Sequence, residues 1–273
     1  MKYKNIVLID FSDCSKSALK FAKKWSIRTG STLEVIHQLN ISSPGATSAD
    51  SEKALYNSSL MDAEKKMNLF LAENITEGTK PHFSIRKSSL VKQIETLNSE
   101  KNTKNFIFLG LKNAGIMKRI FIGSEAINII ENTNNITFLI PNEFESEGIN
   151  TLNIAVSENF SLNLLEFNLF LKQFGNEKPN LNFFSFSSSG NTSKEIEKLF
   201  SSLRELYEDY PTSFNTFPFP SNKLEGIKEI IEEANDQLLV VQRGTRYLTD
   251  HLFRTFLINE LVYDGEIPLV VLP

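Results

Sequence analysis

The chain has 273 residues, with 29 Lys and Arg against 33 Asp and Glu, a net charge of -4, and 41% hydrophobic content. This is a globular composition with no electrostatic drive toward nucleic acid. No apolar run approaches the roughly 20 residues that cross a bilayer, and a single cysteine, Cys14, excludes an intrachain disulfide and a cysteine-built zinc site. The opening "MKYKNIVLIDFSD" has a short apolar stretch stopped by an aspartate and no small-residue cleavage site. It reads as a first strand, so a cytoplasmic protein with neither a membrane nor a nucleic-acid partner is expected.

"NIVLID" is that strand, and "SDCSKSALKFAKKWSIRTG" follows with apolar residues at helical spacing. Ser12 or Asp13 can cap the helix start and Gly30 its end. "TLEVIHQL" alternates as a strand, "SPGATSAD" is a loop, and a polar amphipathic helix runs from about 51 to 73. Then come "HFSIRK" as strand, "SLVKQIETLNS" as a serine-capped helix, "NFIFLG" as strand, "SEAINIIEN" as helix and "ITFLIP" as strand. Strands separated by helices pair in parallel, because each connection must cross a sheet face.

The acidic stretch "NEFESEGIN", Asn142 to Asn150, reads as a linker, after which the alternation restarts. "LNIAVS", "LNFFSFS", "TSFNTFPF", "QLLVVQ" and "IPLVVLP" are strands, the third bearing an edge-like proline. "NLLEFNLFLKQFG", "TSKEIEKLFSSLRELYEDY", "GIKEIIEEAN" and "DHLFRTFLINELVY" are helices, the second opened by a capping box of Thr192 with Glu195. The halves therefore repeat one order of elements. We expect an α/β protein of two units, residues 1–144 and 150–273.

The first half resembles the universal stress protein family. Its first strand ends Val7-Leu8-Ile9-Asp10-Phe11-Ser12, its second reads Val35-Ile36-His37-Gln38, and "GLKNAGIMKRIFIGS" sets Gly110, Asn113, Gly123 and Ser124 at the spacing of that family's nucleotide motif, with Asn113 replacing a glycine. The resemblance extends over the second half mainly as element order. It implies a tandem chain of two open, Rossmann-like, five-stranded parallel sheets flanked by helices, each in strand order 3-2-1-4-5. It also implies a stress-response role and a site for ATP or AMP in the first half, with Mg²⁺ only if ATP is bound.

In such a sheet the strand order reverses between strands 1 and 4, where ligands sit beyond the carboxyl ends. Asp10 and Gly110 should meet there. Gly110 lets backbone approach a ligand; Gly123 and Ser124 open a helix whose free N–H groups favour an anion; Lys112, Lys118 and Arg119 add positive charge. Ile9 and Gln38 match family positions flanking the base. Against this, Ser124 reads equally as an N-cap and Asp10 as a helix cap. Asn113 tolerates a left-handed turn but brings a side chain into phosphate space, while Glu125 competes for the positive helix end. "SSSGNTSKE" lacks the P-loop lysine placement and reads as loop plus cap, and Trp25 reads as core.

The second half has no such motif: Val241-Gln242-Arg243-Gly244-Thr245 replaces the Gly110 stretch, Arg254-Thr255-Phe256 stands where Gly-Ser should be, and Ser157 and Glu158 follow its first strand. Its expected role is a built-in dimer partner covering a sheet edge by intramolecular pairing, with a homodimer of chains as a further option. No nucleophile–base pair is present, so no enzyme is expected beyond weak ATP hydrolysis. The competing reading is a nucleotide-free interaction and dimerisation module.

Overall fold

The computed structural model describes residues 2–41, 49–75, 81–114, 119–121, 124–146, 148–158, 162–187, 190–218, 236–243 and 268–273, with backbone only at 112–114 and 119–121. The first half runs β1 (Lys2–Leu8), α1 (Asp13–Thr29), β2 (Thr32–Gln38), α2 (Ala49–Asn74), β3 (His82–Arg86), α3 (Leu90–Asn98) and β4 (Thr103–Gly110). It continues with β5 (Lys112–Ala114), β6 (Arg119–Phe121), α4 (Ser124–Asn132) and β7 (Ile136–Ile140). The second half comprises β8 (Thr151–Ala155), α5 (Leu164–Leu171) with a 3₁₀ turn, β9 (Asn180–Ser187), α6 (Lys194–Leu206), β10 (Thr212–Pro218), β11 (Gln237–Gln242) and β12 (Leu269–Leu272). The helices expected over 226–235 and 250–263 lie outside the described residues.

Ten strands form one sheet in the order β10-β9-β8-β11-β12-β7-β4-β1-β2-β3. From its outer edge inward the first half reads 3-2-1-4-5, and the second half reads the same from the opposite edge. All neighbours are parallel except β7 and β12, which pair antiparallel at the centre through Leu139 and Leu269, Phe138 and Val270, and Thr137 and Val271. The two halves thus share a continuous ladder, and Pro218 ends the edge strand β10.

Local chemistry explains the helix ends. The Ser12 hydroxyl accepts from the Ser15 N–H, Ser89 from the Lys92 N–H, and Gly30 closes α1 at φ 65° in the left-handed region. For α6 the cap is Ser193, accepting from the Ile196 N–H, rather than Thr192. The Thr192 hydroxyl instead donates to that of Thr216 across to β10. Two adjacent hydroxyl residues offered the same capping chemistry, and the strand contact decided between them.

Each sheet face carries its own core. One holds α1, α2, α5 and α6 around Trp25, Phe106, Phe138, Phe167 and Phe170; the other holds α3 and α4 around Ile107, Leu109, Ile129 and Leu139. The first core crosses between halves. Trp25 lies 5.3 Å from Phe138, 6.2 Å from Phe170 and 5.5 Å from Phe174, ring centre to ring centre. The linker is docked along α1, because Phe144 and Ile149 in its acidic run are buried. Ser17 accepts from the Glu143 N–H, and Lys24 and Arg28 donate to the Ser146 and Ile149 carbonyls.

Tyr207, after α6, donates its hydroxyl to Asn168 Oδ1 at 3.0 Å. Burial, and then the neighbouring Tyr210, push its pKa up from 10.0 to about 12. The folded protein keeps it neutral at a pH where the unfolded chain ionises. Its stabilising contribution is therefore complete below pH 10 and is lost as pH rises toward about 12. Tyr207→Phe is expected to flatten this alkaline loss; denaturant midpoints at about pH 9 and 11 that fall equally in both proteins would contradict it.

Candidate functional site

β1 lies between β2 and β4, so the strand order reverses at the β1–β4 boundary and the chains leaving these two strands diverge to opposite faces. Leaving β1, the Ile9 N–H donates to the Ile36 carbonyl, extending the ladder by one residue. The Ile9 carbonyl accepts a 2.7 Å bond from His37 Nδ1, which fixes that nitrogen as protonated. Asp10 is exposed, and its Oδ1 accepts from both the N–H and the hydroxyl of Ser12. The carboxylate thus supports the residue that caps α1.

Between them Phe11 adopts φ 65°, a left-handed conformation that costs a non-glycine residue about 1–2 kcal/mol. Packing offsets that cost. The Phe11 ring sits 4.6 Å from His37 and edge-on to Phe70 at 5.6 Å, with Lys66 Nζ 4.3 Å from its centre. An aromatic wall with one cation therefore stands beside Asp10. The sequence named Phe11 and His37 only within the family-like stretches and not as site residues, and it did not mark Lys66, because the three come from separate parts of the chain.

Gly110 ends β4 beside β1. A Cβ there would lie 2.3 Å from both Cys14 C and O and 2.8 Å from Ser15 N. Its missing side chain thus admits the first turn of α1 against the strand end. Leu111 is buried, and its N–H donates to the Ile140 carbonyl at 2.8 Å. Beyond it the chain is not an open loop. Lys112–Ala114 pairs antiparallel with Arg119–Phe121, setting Asn113 opposite Ile120 in extended backbone rather than in a left-handed turn. Three-residue strands are too short to show a period, so the sequence read them as loop. Ser124 and Glu125 are exposed in the first turn of α4, and Gln38 ends β2 opposite Arg86. Lys118 and Gly123 lie outside the described residues. The structure thus sets Ile9, Asp10 and Gly110 on neighbouring strand ends, with Gln38 one strand further out.

The register between the halves fixes the counterparts. Gly110 pairs with Ile140 as Gln242 pairs with Leu272, so Gln242 takes the place of Gly110. Its side chain bridges the strand end to α5: Oε1 accepts from the Asn163 N–H at 2.9 Å, and Nε2 donates to the Pro273 carbonyl at 2.7 Å. Where the first half has backbone in contact with backbone, the second has an amide filling the space.

A structure with a similar fold is a universal stress protein from Archaeoglobus fulgidus DSM 4304, which aligns with 98% of this chain and 97% of its own at TM-score 0.67 and 16% identity. The chain has the universal stress protein fold in tandem. A functionally unknown protein from Pseudomonas aeruginosa PAO1 aligns over 98% of this chain and 92% of its own, at TM-score 0.53 and 14% identity. The cytoplasmic domain of a prokaryotic cation chloride cotransporter aligns over 99% and 95%, at TM-score 0.54 and 15% identity. No protein-family model and no curated protein sequence matches the chain. Among the described residues no helix is long and apolar enough to cross a membrane, in keeping with this fold. In the universal stress protein fold found here, the two strand ends at the reversal point differ between halves: one pair carries Asp10 and Gly110, the other Ser157 and Gln242.

Proposed function

We propose that this chain is a stress-response protein of the universal stress protein type that binds one adenine nucleotide, ATP or AMP, at the β1–β4 boundary of its first half, and that it works by binding rather than catalysis. The observation that carries this reading is that Asp10 follows β1, which pairs with the glycine-ended β4 at the point where strand order reverses. Asp10 would accept from a ligand hydroxyl or amino group. Backbone groups of Ile9 and Gln38 would flank the base beside the Phe11 wall. Gly123, Ser124 and the first N–H groups of α4, with the charge of Lys112, would hold phosphate. Mg²⁺ would accompany ATP alone, held mainly by its phosphates. Glu125 weakens the pull of the helix end on an anion and so limits affinity. The second half then serves as a fused partner.

A second reading, a nucleotide-free interaction module, draws on Asn113 in the β5–β6 ribbon and on the hold of Ser12 upon Asp10. Binding by variants separates the two. Asp10→Ala, which removes one hydrogen bond from a charged group, and Gly123→Asp, which sets a carboxylate against phosphate, are each expected to weaken ATP binding about ten-fold. Unchanged affinity in both would place any nucleotide elsewhere.

A further inference from the structure

Arg243 follows β11, and its backbone is fixed by an N–H bond of 2.7 Å to the Leu272 carbonyl. This repeats the bond from Leu111 to Ile140, so Arg243 is the second-half counterpart of Leu111. Its side chain leaves its own half. Nη1 donates to the carbonyls of Ile130 at 2.6 Å, Thr133 at 2.8 Å and Glu131 at 3.4 Å, and Nη2 donates to Asn134 Oδ1 at 3.1 Å. These groups surround the C-terminal end of α4, where carbonyls lack partners within the helix and carry its negative pole. α4 has no basic residue in its own last turn. The second half supplies that cation, in the forked geometry that lets one guanidinium meet several acceptors.

α4 is a nine-residue helix whose opposite end begins at Ser124. We infer that Arg243 is a positioning residue: from the second half it fixes α4 and thereby sets the helix end that the proposed nucleotide site uses. This rests on the reading of that site given above for its ligand arm alone. The side chain at the position matching Gly110 and the side chain that makes this contact belong to adjacent residues, Gln242 and Arg243, so one strand end of the second half both fills its own reversal point and holds the neighbouring half. Coupling of this kind is reciprocal: ligand at Ser124 would tighten the Arg243 contact.

The test compares full-length wild type, Arg243→Ala, Arg243→Lys and Asn134→Ala by amide hydrogen exchange and by ATP titration. Arg243→Ala is expected to speed exchange about five-fold along all of α4, including Asn128, whose amide is the first bonded within the helix. It is expected to lower ATP affinity about five-fold as well. Arg243→Lys should fall between, and Asn134→Ala should stay near wild type. A rise confined to Ile130–Asn134, or unchanged exchange, overturns the inference. So does equal ATP affinity in wild type and Arg243→Ala. If wild type takes no ATP, the nucleotide reading fails by itself and the exchange at Asn128 decides the role of Arg243.

Discussion

Gly110→Ala is expected to destabilise the protein by about 3 kcal/mol, a fall in Tm of roughly 6–12 °C. The added methyl would lie 2.3 Å from the carbonyl carbon and oxygen of Cys14, and these are backbone atoms in the capped first turn of α1. No side chain can swing aside. Either α1 shifts off the strand end or β4 shifts against β1, and both movements disturb buried ladders. Gly30 is the contrast: a Cβ there meets nothing within 4 Å, and the cost of alanine is that of its φ of 65° alone, about 1–2 kcal/mol. Denaturant midpoints of the two variants measure the difference. A Gly110→Ala protein as stable as wild type would mean that α1 does not rest on this glycine.

Trp25→Ala is expected to cost about 3–5 kcal/mol and to loosen the coupling between halves. The indole belongs to α1 but packs on Phe170 and Phe174 of the second half as well as on Phe21 and Phe138 of the first. Its removal empties the joint while leaving the β7–β12 ladder. Wild type should unfold in one transition and Trp25→Ala in two, followed by circular dichroism. Trp25→Phe should cost far less, because the buried indole N–H has no hydrogen-bond partner among the described residues and phenylalanine removes that unsatisfied donor. Equal losses for alanine and phenylalanine would contradict this account of the joint. Trp25 is the sole tryptophan, so wild-type fluorescence reports the joint directly.

The fold could be read from the sequence because its signals are local. Alternating apolar runs marked the strands, Ser12 and Ser89 cap the helices they precede, and Gly30 ends α1. The aromatic run "FNTFPF" with its proline fits the edge strand β10. What escaped was set by contacts between distant elements. The β5–β6 ribbon needs pairing across residues 115–118 that no three-residue period announces. The left-handed Phe11 is held by His37 and Phe70, neither near it in sequence. Gln242 and Arg243 gain meaning only once the register of β11 on β12 is matched to that of β4 on β7. For the candidate site, the sequence supplied the residues and their spacing. It did not reveal that Gly110 is occupied by α1, or that Asp10 already supports Ser12.

The measurement that bears most directly on the central claim is calorimetric titration of the full-length protein with ATP, with and without Mg²⁺, after testing heat-denatured protein for released nucleotide. The account predicts a single binding event per chain, from a site in the first half only. No carried nucleotide and no heat at millimolar ATP, or two equivalent events per chain, would contradict it.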